Sequence, residues 1–224
     1  MVNKILLTFV AADVFFLVGG VLLLVGSLVM SAKINGTKTL ENAPQVLLLN
    51  VFPMRAAIVN SVFVFITFVL SLPGIIFSDN RLWLKAHGYM VVVCAIFTLV
   101  VGLRVWFDTL KTRANLSSLW GQQTPQVQSL LQQRFDCCGY LNSTFPPFQP
   151  DSVCTTPLVA AQKQGCVGPF SSFANVFLDF IFTADFGIVA IDAILLLCTA
   201  VVLKDRKERE RYRLIDAKNG FLGI

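Results

Sequence analysis

The sequence predicts an all-α membrane protein, with four transmembrane helices and a disulfide-stapled large extracellular loop. Three observations carry that prediction. Hydrophobic residues make up 55% of the 224 positions, and the mean hydropathy is +0.71, unlike a soluble domain. The apolar residues are gathered in four blocks, each reaching the ~20 residues that cross a bilayer. Four of the six cysteines fall between the third and fourth blocks.

The spans run Ile5–Met30, Ala56–Phe77, Ala86–Phe107 and Phe180–Leu203. Inside a bilayer the backbone must satisfy its own hydrogen bonds, so each span is expected to be helical. The first block outruns the ~7–15-residue apolar core of a cleaved signal, and Lys4 is its only preceding charge, so it reads as a retained signal anchor. Residues 1–4 then form a short N-terminus, 31–55 a small loop, 78–85 a tight link, 108–179 the large loop and 204–224 a basic tail.

Charge, sequons and cysteines agree on one orientation. Lys4, Arg81 and Lys85, and the dense run Lys204–Arg213, place both termini in the cytoplasm by the positive-inside rule. The N-glycosylation sequons at Asn35, Asn115 and Asn142 all fall on the opposite side. So do Cys137, Cys138, Cys154 and Cys166, where thiols meet an oxidising environment. Four cysteines allow three pairings. A Cys137–Cys138 bond would close a strained ring across one peptide bond, which leaves two arrangements, crossed or nested. A zinc site competes for the same four thiols, against the compartment and the absence of Cys-x-x-Cys spacing.

The large loop holds roughly seventy residues, a size at which an apolar core alone is marginal and covalent staples are usual. The stretch Asp108–Trp120 is expected to continue the third span as a helix. Pro125 can open another, because proline is tolerated in a first turn. Val127, Leu130, Leu131 and Phe135 then recur at helical spacing up to the cysteine pair. Gly139 follows where a tight turn needs positive φ. From Tyr140 to Pro169 five prolines argue for irregular chain with at most a short turn or two.

Four spans, a small first loop, a large second loop and Cys137-Cys138-Gly139 followed by two later cysteines resemble a tetraspanin. Pro150-Asp151-Ser152-Val153-Cys154 is similar to the family's Pro-x-Ser-Cys element with one extra residue, and Gln164-Gly165-Cys166 to its Gly-Cys element. By general likeness the sequence is most similar to tetraspanins of filamentous, plant-pathogenic fungi. The resemblance covers the whole chain. It implies the pairs Cys137–Cys166 and Cys138–Cys154, and a helical stalk topped by a short variable region.

Small and polar residues repeat at heptad spacing along three spans: Ala12, Gly19 and Gly26 beside Asp13, Gly20 and Ser27; Asn60, Thr67 and Gly74; Gly88, Ala95 and Gly102. Such seams permit close helix association in lipid. Charges at this depth cost about 2.5–3.5 kcal/mol on insertion scales and call for partners. Arg104 and Asp185 both fall near the outer ends of their spans, so an ion pair is expected. Asp13 and Asp192 fall near the midplane of the first and last spans, where two carboxylates would repel. The resemblance matches Asp192, twelve residues before the basic tail, to the acidic residue in the fourth span of some tetraspanins. Asp13 sits one residue from the family's usual Asn, relative to Gly19-Gly20. A bound sterol between the spans is what that likeness implies. Cys198 is the nearest candidate for the family's S-acylation, yet it lies several residues inside its span, with Cys94 deeper still. His87 reads as an interfacial residue at a membrane edge.

The functional expectation is a non-catalytic scaffold that gathers other membrane proteins, copies of itself or other tetraspanins, and lipids. No metal, nucleic acid or cofactor other than a sterol is expected. The likeness to fungal relatives points to polarised growth and host penetration. The location expected is the plasma membrane or an endomembrane of the secretory or vacuolar route. The alternative is a small transporter or channel using Asp13, Asp192 and Arg104.

Overall fold

The computed structural model describes residues 4–50, 52–77, 80–110 and 112–218; residues 1–3 and the tail beyond Lys218 lie outside these. The described elements are α1 (Lys4–Ile34), α2 (Ala43–Leu49), α3 (Met54–Ile76), α4 (Arg81–Leu110), α5 (Thr112–Gly121), α6 (Pro125–Phe135), α7 (Pro157–Gln162) and α8 (Val167–Lys218). No β-strand occurs among them. Helices α1, α3, α4 and α8 are long and apolar enough to cross a membrane, and the chain is a multi-pass membrane protein.

The helices outrun the predicted spans. Helix α8 begins at Val167, well before Phe180, and continues through the basic run to Lys218. Gly168-Pro169 conceals the start in the sequence, but proline costs nothing in a first turn whose N–H groups are unpaired anyway. Helix α4 starts at Arg81 and runs to Leu110, and α5 continues helical from Thr112 past Trp120 to Gly121, on the other side of residue 111, which lies outside the described residues. The small loop contains α2, which no periodicity announced. Thr39 and Asn42 start it: the Thr39 N–H donates to Asn42 Oδ1 at 2.7 Å, and the Asn42 N–H to Thr39 Oγ1 at 3.4 Å.

The described chain forms two compact units. The membrane unit takes residues up to Gly26, Arg55–Val100 and the chain from Asp185 onward. Its buried positions follow a 3–4 rhythm on every helix: Phe9, Asp13, Phe16 and Gly20 on α1; Asn60, Val64, Thr67 and Ser71 on α3; Leu84, His87, Val91, Cys94 and Thr98 on α4; Asp185, Asp192, Leu195, Thr199 and Val202 on α8. That is the rhythm of left-handed helix packing. Large apolar side chains such as Phe15, Leu22, Val69, Ile96 and Leu197 point outward. The polarity is the reverse of a soluble bundle, because lipid accepts the apolar face and the polar groups turn inward.

The loop unit takes Ser27–Met54 and Val101–Ala184. Its core gathers Ala43, Leu47 and Leu48 of α2, Leu116 and Trp120 of α5, Val127 and Leu131 of α6, and Phe170 and Ala174 of α8 around Tyr140 and the Cys137–Cys166 sulfurs. Helix α2 packs on α6, which explains the run of buried residues in a segment too short to show amphipathicity. Leu130 and Phe135, read from the sequence as part of the α6 apolar face, lie half-buried against the same core.

Candidate functional site

Two constellations concentrate chemistry, one in each unit. The first is the cysteine knot of the loop unit. Helix α6 ends at Asp136, which takes the left-handed conformation with φ 49°. Cys137 and Cys138 follow and diverge, Cys137 to Cys166 and Cys138 to Cys154, with Cα separations of 5.0 and 5.9 Å. These are the pairs the tetraspanin likeness implied. All four thiols are consumed, which removes the zinc alternative.

Two glycines make the knot close. Gly139 has φ +71°, and a Cβ there would lie 2.1 Å from the Asn142 carbonyl oxygen. A Cβ on Gly165 would lie 2.1 Å from the Leu141 carbonyl oxygen, far inside van der Waals contact. That approach lets two chain segments pair: Cys138 N–H donates to the Gln164 carbonyl at 3.0 Å, Cys166 N–H to Gly139 at 3.0 Å and Val167 N–H to Tyr140 at 2.9 Å. The last of these bonds satisfies the first amide of α8, so the knot sets where that helix starts.

Gln132 is the polar centre of the knot, and sequence reasoning missed it. Its side chain is fully buried. Nε2 donates to the Gln149 carbonyl at 2.7 Å and to Asp151 Oδ2 at 2.8 Å, while Oε1 accepts from Gly139 N–H at 3.2 Å and Gln149 N–H at 3.0 Å. Asp151 Oδ1 in turn accepts from the Val153 and Cys154 amides at 2.8 and 2.7 Å. The carboxylate therefore shapes the turn that delivers Cys154 to Cys138. A glutamine among three others on an amphipathic helix gives no signal of this role.

Away from its core, the loop unit exposes apolar groups. Leu141 and Phe145 are 52% and 70% exposed, and the Leu141 N–H donates to the Phe145 carbonyl at 3.3 Å. Leu158, opening α7, is 73% exposed. Asn142 lies between the first two, exposed, its Oδ1 accepting from the Thr144 hydroxyl and the Thr144 and Phe145 amides. Asn35 is exposed just past the end of α1, whereas Asn115 is half-buried within α5.

The second constellation is the polar interior of the membrane unit. Ser71 Oγ donates to Asp13 Oδ2 at 2.5 Å. Asp13 Oδ1 faces His87 Nε2 across 3.8 Å, and His87 Nδ1 lies 3.1 Å from the Thr67 carbonyl. A carbonyl only accepts, so Nδ1 carries a proton. The Phe9 ring meets the imidazole edge-on at 5.6 Å. His87 is thus fully buried within the bundle, where the α1, α3 and α4 stripes converge on it. Ser71 sits five residues before the end of α3 and His87 six after the start of α4, so Asp13 meets both helices near the ends that flank the α3–α4 link. The serine donates to the carboxylate and not to the imidazole, so the trio lacks the nucleophile–base order of a hydrolytic triad.

Deeper in the unit, Asn60 Nδ2 donates to Thr98 Oγ1 at 2.7 Å, and Thr67 Oγ1 lies 3.5 Å from Cys94 Sγ. Asp192 is 1% exposed, and neither carboxyl oxygen has a hydrogen-bond partner among the described residues. Asp185 is buried, with Oδ2 unpartnered among the described residues, and Arg104, in the other unit, is exposed. Among the described residues neither enters an ion pair. Cys198 is half-buried and unbonded on α8. The small-residue seams serve internal packing: a Cβ on Gly20 would meet Val64 Cγ1 at 2.4 Å, and one on Gly88 would touch Thr199. Gly26 alone of the α1 glycines faces open space.

No protein-family model, curated protein or solved structure matches the chain.

Proposed function

We propose that the chain is a tetraspanin-like scaffold that organises partner proteins and lipids laterally in the membrane without catalysing a reaction. The observation that carries this reading is the exposed apolar pair Leu141 and Phe145, held on a knot cross-linked by two disulfides. Exposed apolar residues on a rigid, irregular surface are typical of partner contacts. The pairing of the four cysteines supports the family likeness. It also favours an oxidising compartment for the loop, with both termini cytoplasmic and the protein in the plasma membrane or an endomembrane of the secretory or vacuolar route. Asn142, exposed in an ordered turn, is the best-presented glycan acceptor. Partners would be other integral membrane proteins, further copies or other tetraspanins. The likeness to fungal relatives extends the proposal to polarised growth and host penetration.

Proximity labelling from the tail and from the loop, read by mass spectrometry, tests the scaffold. Integral membrane proteins should dominate both neighbour lists, and lists without them would sink the proposal. Asp192 supports a second reading. A buried carboxyl group without a partner calls for a donor, and a sterol hydroxyl, as the likeness implies, would supply one. Sterol photo-crosslinking that is unchanged by Asp192→Ala would refute that role. A small transporter or channel would use the same carboxylate, and reconstituted flux abolished by Asp192→Asn would favour it over the scaffold.

A further inference from the structure

The trio Asp13, Ser71 and His87 leaves two polar atoms unspent. Asp13 Oδ2 accepts from Ser71, and His87 Nδ1 donates to the Thr67 carbonyl, so each side chain is held at one end. At the other end Asp13 Oδ1 and His87 Nε2 face each other across 3.8 Å. Both residues are buried, and neither of these two atoms makes a hydrogen bond among the described residues. The gap is too wide for a hydrogen bond and too narrow to seat a water molecule in line between the two atoms.

The surrounding helices leave the two groups to each other. Asp13 is the charged group that acts on His87, and His87 the one that acts on Asp13. Helix α3 contributes the Ser71 hydroxyl and the Thr67 carbonyl, and its Arg55 is exposed at the far end. Helix α8 meets α4 beside His87 through Thr199, next to Gly88. Asp192 lies two turns earlier on the buried stripe of α8, and Cys198 is half-buried. Helix α1 adds the Phe9 ring, and its Lys4 is exposed. On α4 itself Arg81 pairs with Glu210, Lys85 and Tyr89 are exposed, and Cys94 is buried two turns further on.

We propose that Asp13 and His87 form a single-proton site whose occupancy latches α1 onto the α3–α4 pair. Without the proton an ionised carboxylate oxygen faces a bare ring nitrogen, and two acceptors cannot bond. One proton on either atom makes the other its acceptor, and the two can close to the ~2.7–3.0 Å of a hydrogen bond. The proton comes from solvent and forms one O–H or N–H bond; release reverses the step, and no other bond is made or broken. Nδ1 keeps its own proton in both states, because the Thr67 carbonyl only accepts. Since the added hydrogen bond exists only while the proton is bound, its stabilisation is present on the acid side of the transition and lost on the alkaline side. The proposal does not rest on the scaffold reading.

His87 is the only histidine of the chain, which makes the test specific. The full chain, carrying an affinity tag without histidine, is labelled with ring-¹⁵N histidine and purified in detergent. Its two imidazole nitrogens are followed by NMR from about pH 5 to 9, the range in which histidine ordinarily changes charge. Nδ1 should stay protonated throughout, and Nε2 should pass through one transition. Over the same transition the thermal midpoint should fall with rising pH by about 2–4 °C, the size of one hydrogen bond in a chain of this length. Asp13→Asn offers Nε2 a donor at every pH, and His87→Gln offers one to Asp13, so both variants should lose that step. His87→Gln carries the comparison if Asp13→Asn misfolds. A wild-type imidazole that does not titrate, or a midpoint that rises with pH through the transition, would overturn the proposal. So would a melting step that survives in the variants. An Nε2 titration identical in wild type and Asp13→Asn would give the proton to histidine alone and overturn the shared site.

Discussion

Replacing Gln132 by Leu should unlock the knot while leaving the membrane spans intact. The side chain makes four hydrogen bonds, two as donor and two as acceptor, and it is fully buried. Leucine fills the space and makes none. The amides of Gly139 and Gln149 lose their acceptor, and Asp151 Oδ2 loses the Gln132 donor. Net losses of about 0.5–1.5 kcal/mol per bond, larger for the bond to a carboxylate, give roughly 3–6 kcal/mol. For a domain near this size 1 kcal/mol moves the midpoint by about 4–8 °C, so the loop unit should melt at least ~12 °C lower. Trp120, buried beside Tyr140 with ring centroids 5.6 Å apart, is an internal fluorescence reporter in the detergent-purified chain. Hydrogen exchange over residues 137–151 should accelerate in step, while peptides from α3 keep their protection. Gln133→Leu, which removes only a bond to Ser129 on the same helix, is the control. An unchanged midpoint and unchanged exchange in Gln132→Leu would refute the reasoning that this residue organises the knot.

Other substitutions probe separate links. Gly165→Ala drives a methyl group into the Leu141 carbonyl and should break the pairing of residues 138–140 with 164–167. Overpacking of this kind costs typically ~1–3 kcal/mol or more, and non-reducing peptide mapping should reveal a fraction of mispaired or free Cys166. Asp13→Asn keeps an acceptor for Ser71 and gains a donor toward His87, so its stability in thermal unfolding should stay within about 1 kcal/mol of wild type. Asp13→Leu removes both contacts and should cost ~1–3 kcal/mol. In sterol-free detergent Asp192→Leu should stabilise the bundle by roughly 1–3 kcal/mol, since it removes a buried polar group whose oxygens have no partner among the described residues.

Much of the architecture was legible because lipid simplifies the code. A block of ~20 apolar residues has one stable outcome in a bilayer, and four blocks gave four helices. Adjacent cysteines before a glycine were equally readable, since geometry forbids their joining each other. What escaped depends on tertiary context. Helix α2 is too short to show a period, and its stability comes from packing on α6. Gly168-Pro169 looks like a break, yet Val167 starts a helix because the knot fixes its first amide. Gln132 and Asp151 are ordinary polar residues until folding buries the first and hydrogen-bonds it to the second. His87 lies near the end of a span by count, but the stripe of α4 points it inward at Asp13. The heptad glycines were correctly seen as packing devices, and the structure uses most of them inside the bundle.

The central claim is that the stapled loop recruits neighbours through its exposed apolar surface. The most direct measurement is quantitative proximity labelling from the loop, comparing wild type with Leu141→Ser/Phe145→Ser at matched expression. Both positions are exposed, so the variant should keep the disulfide pairs and the fold while losing a defined set of integral membrane neighbours. An identical neighbour list from the two proteins, with the variant folded, would contradict the account.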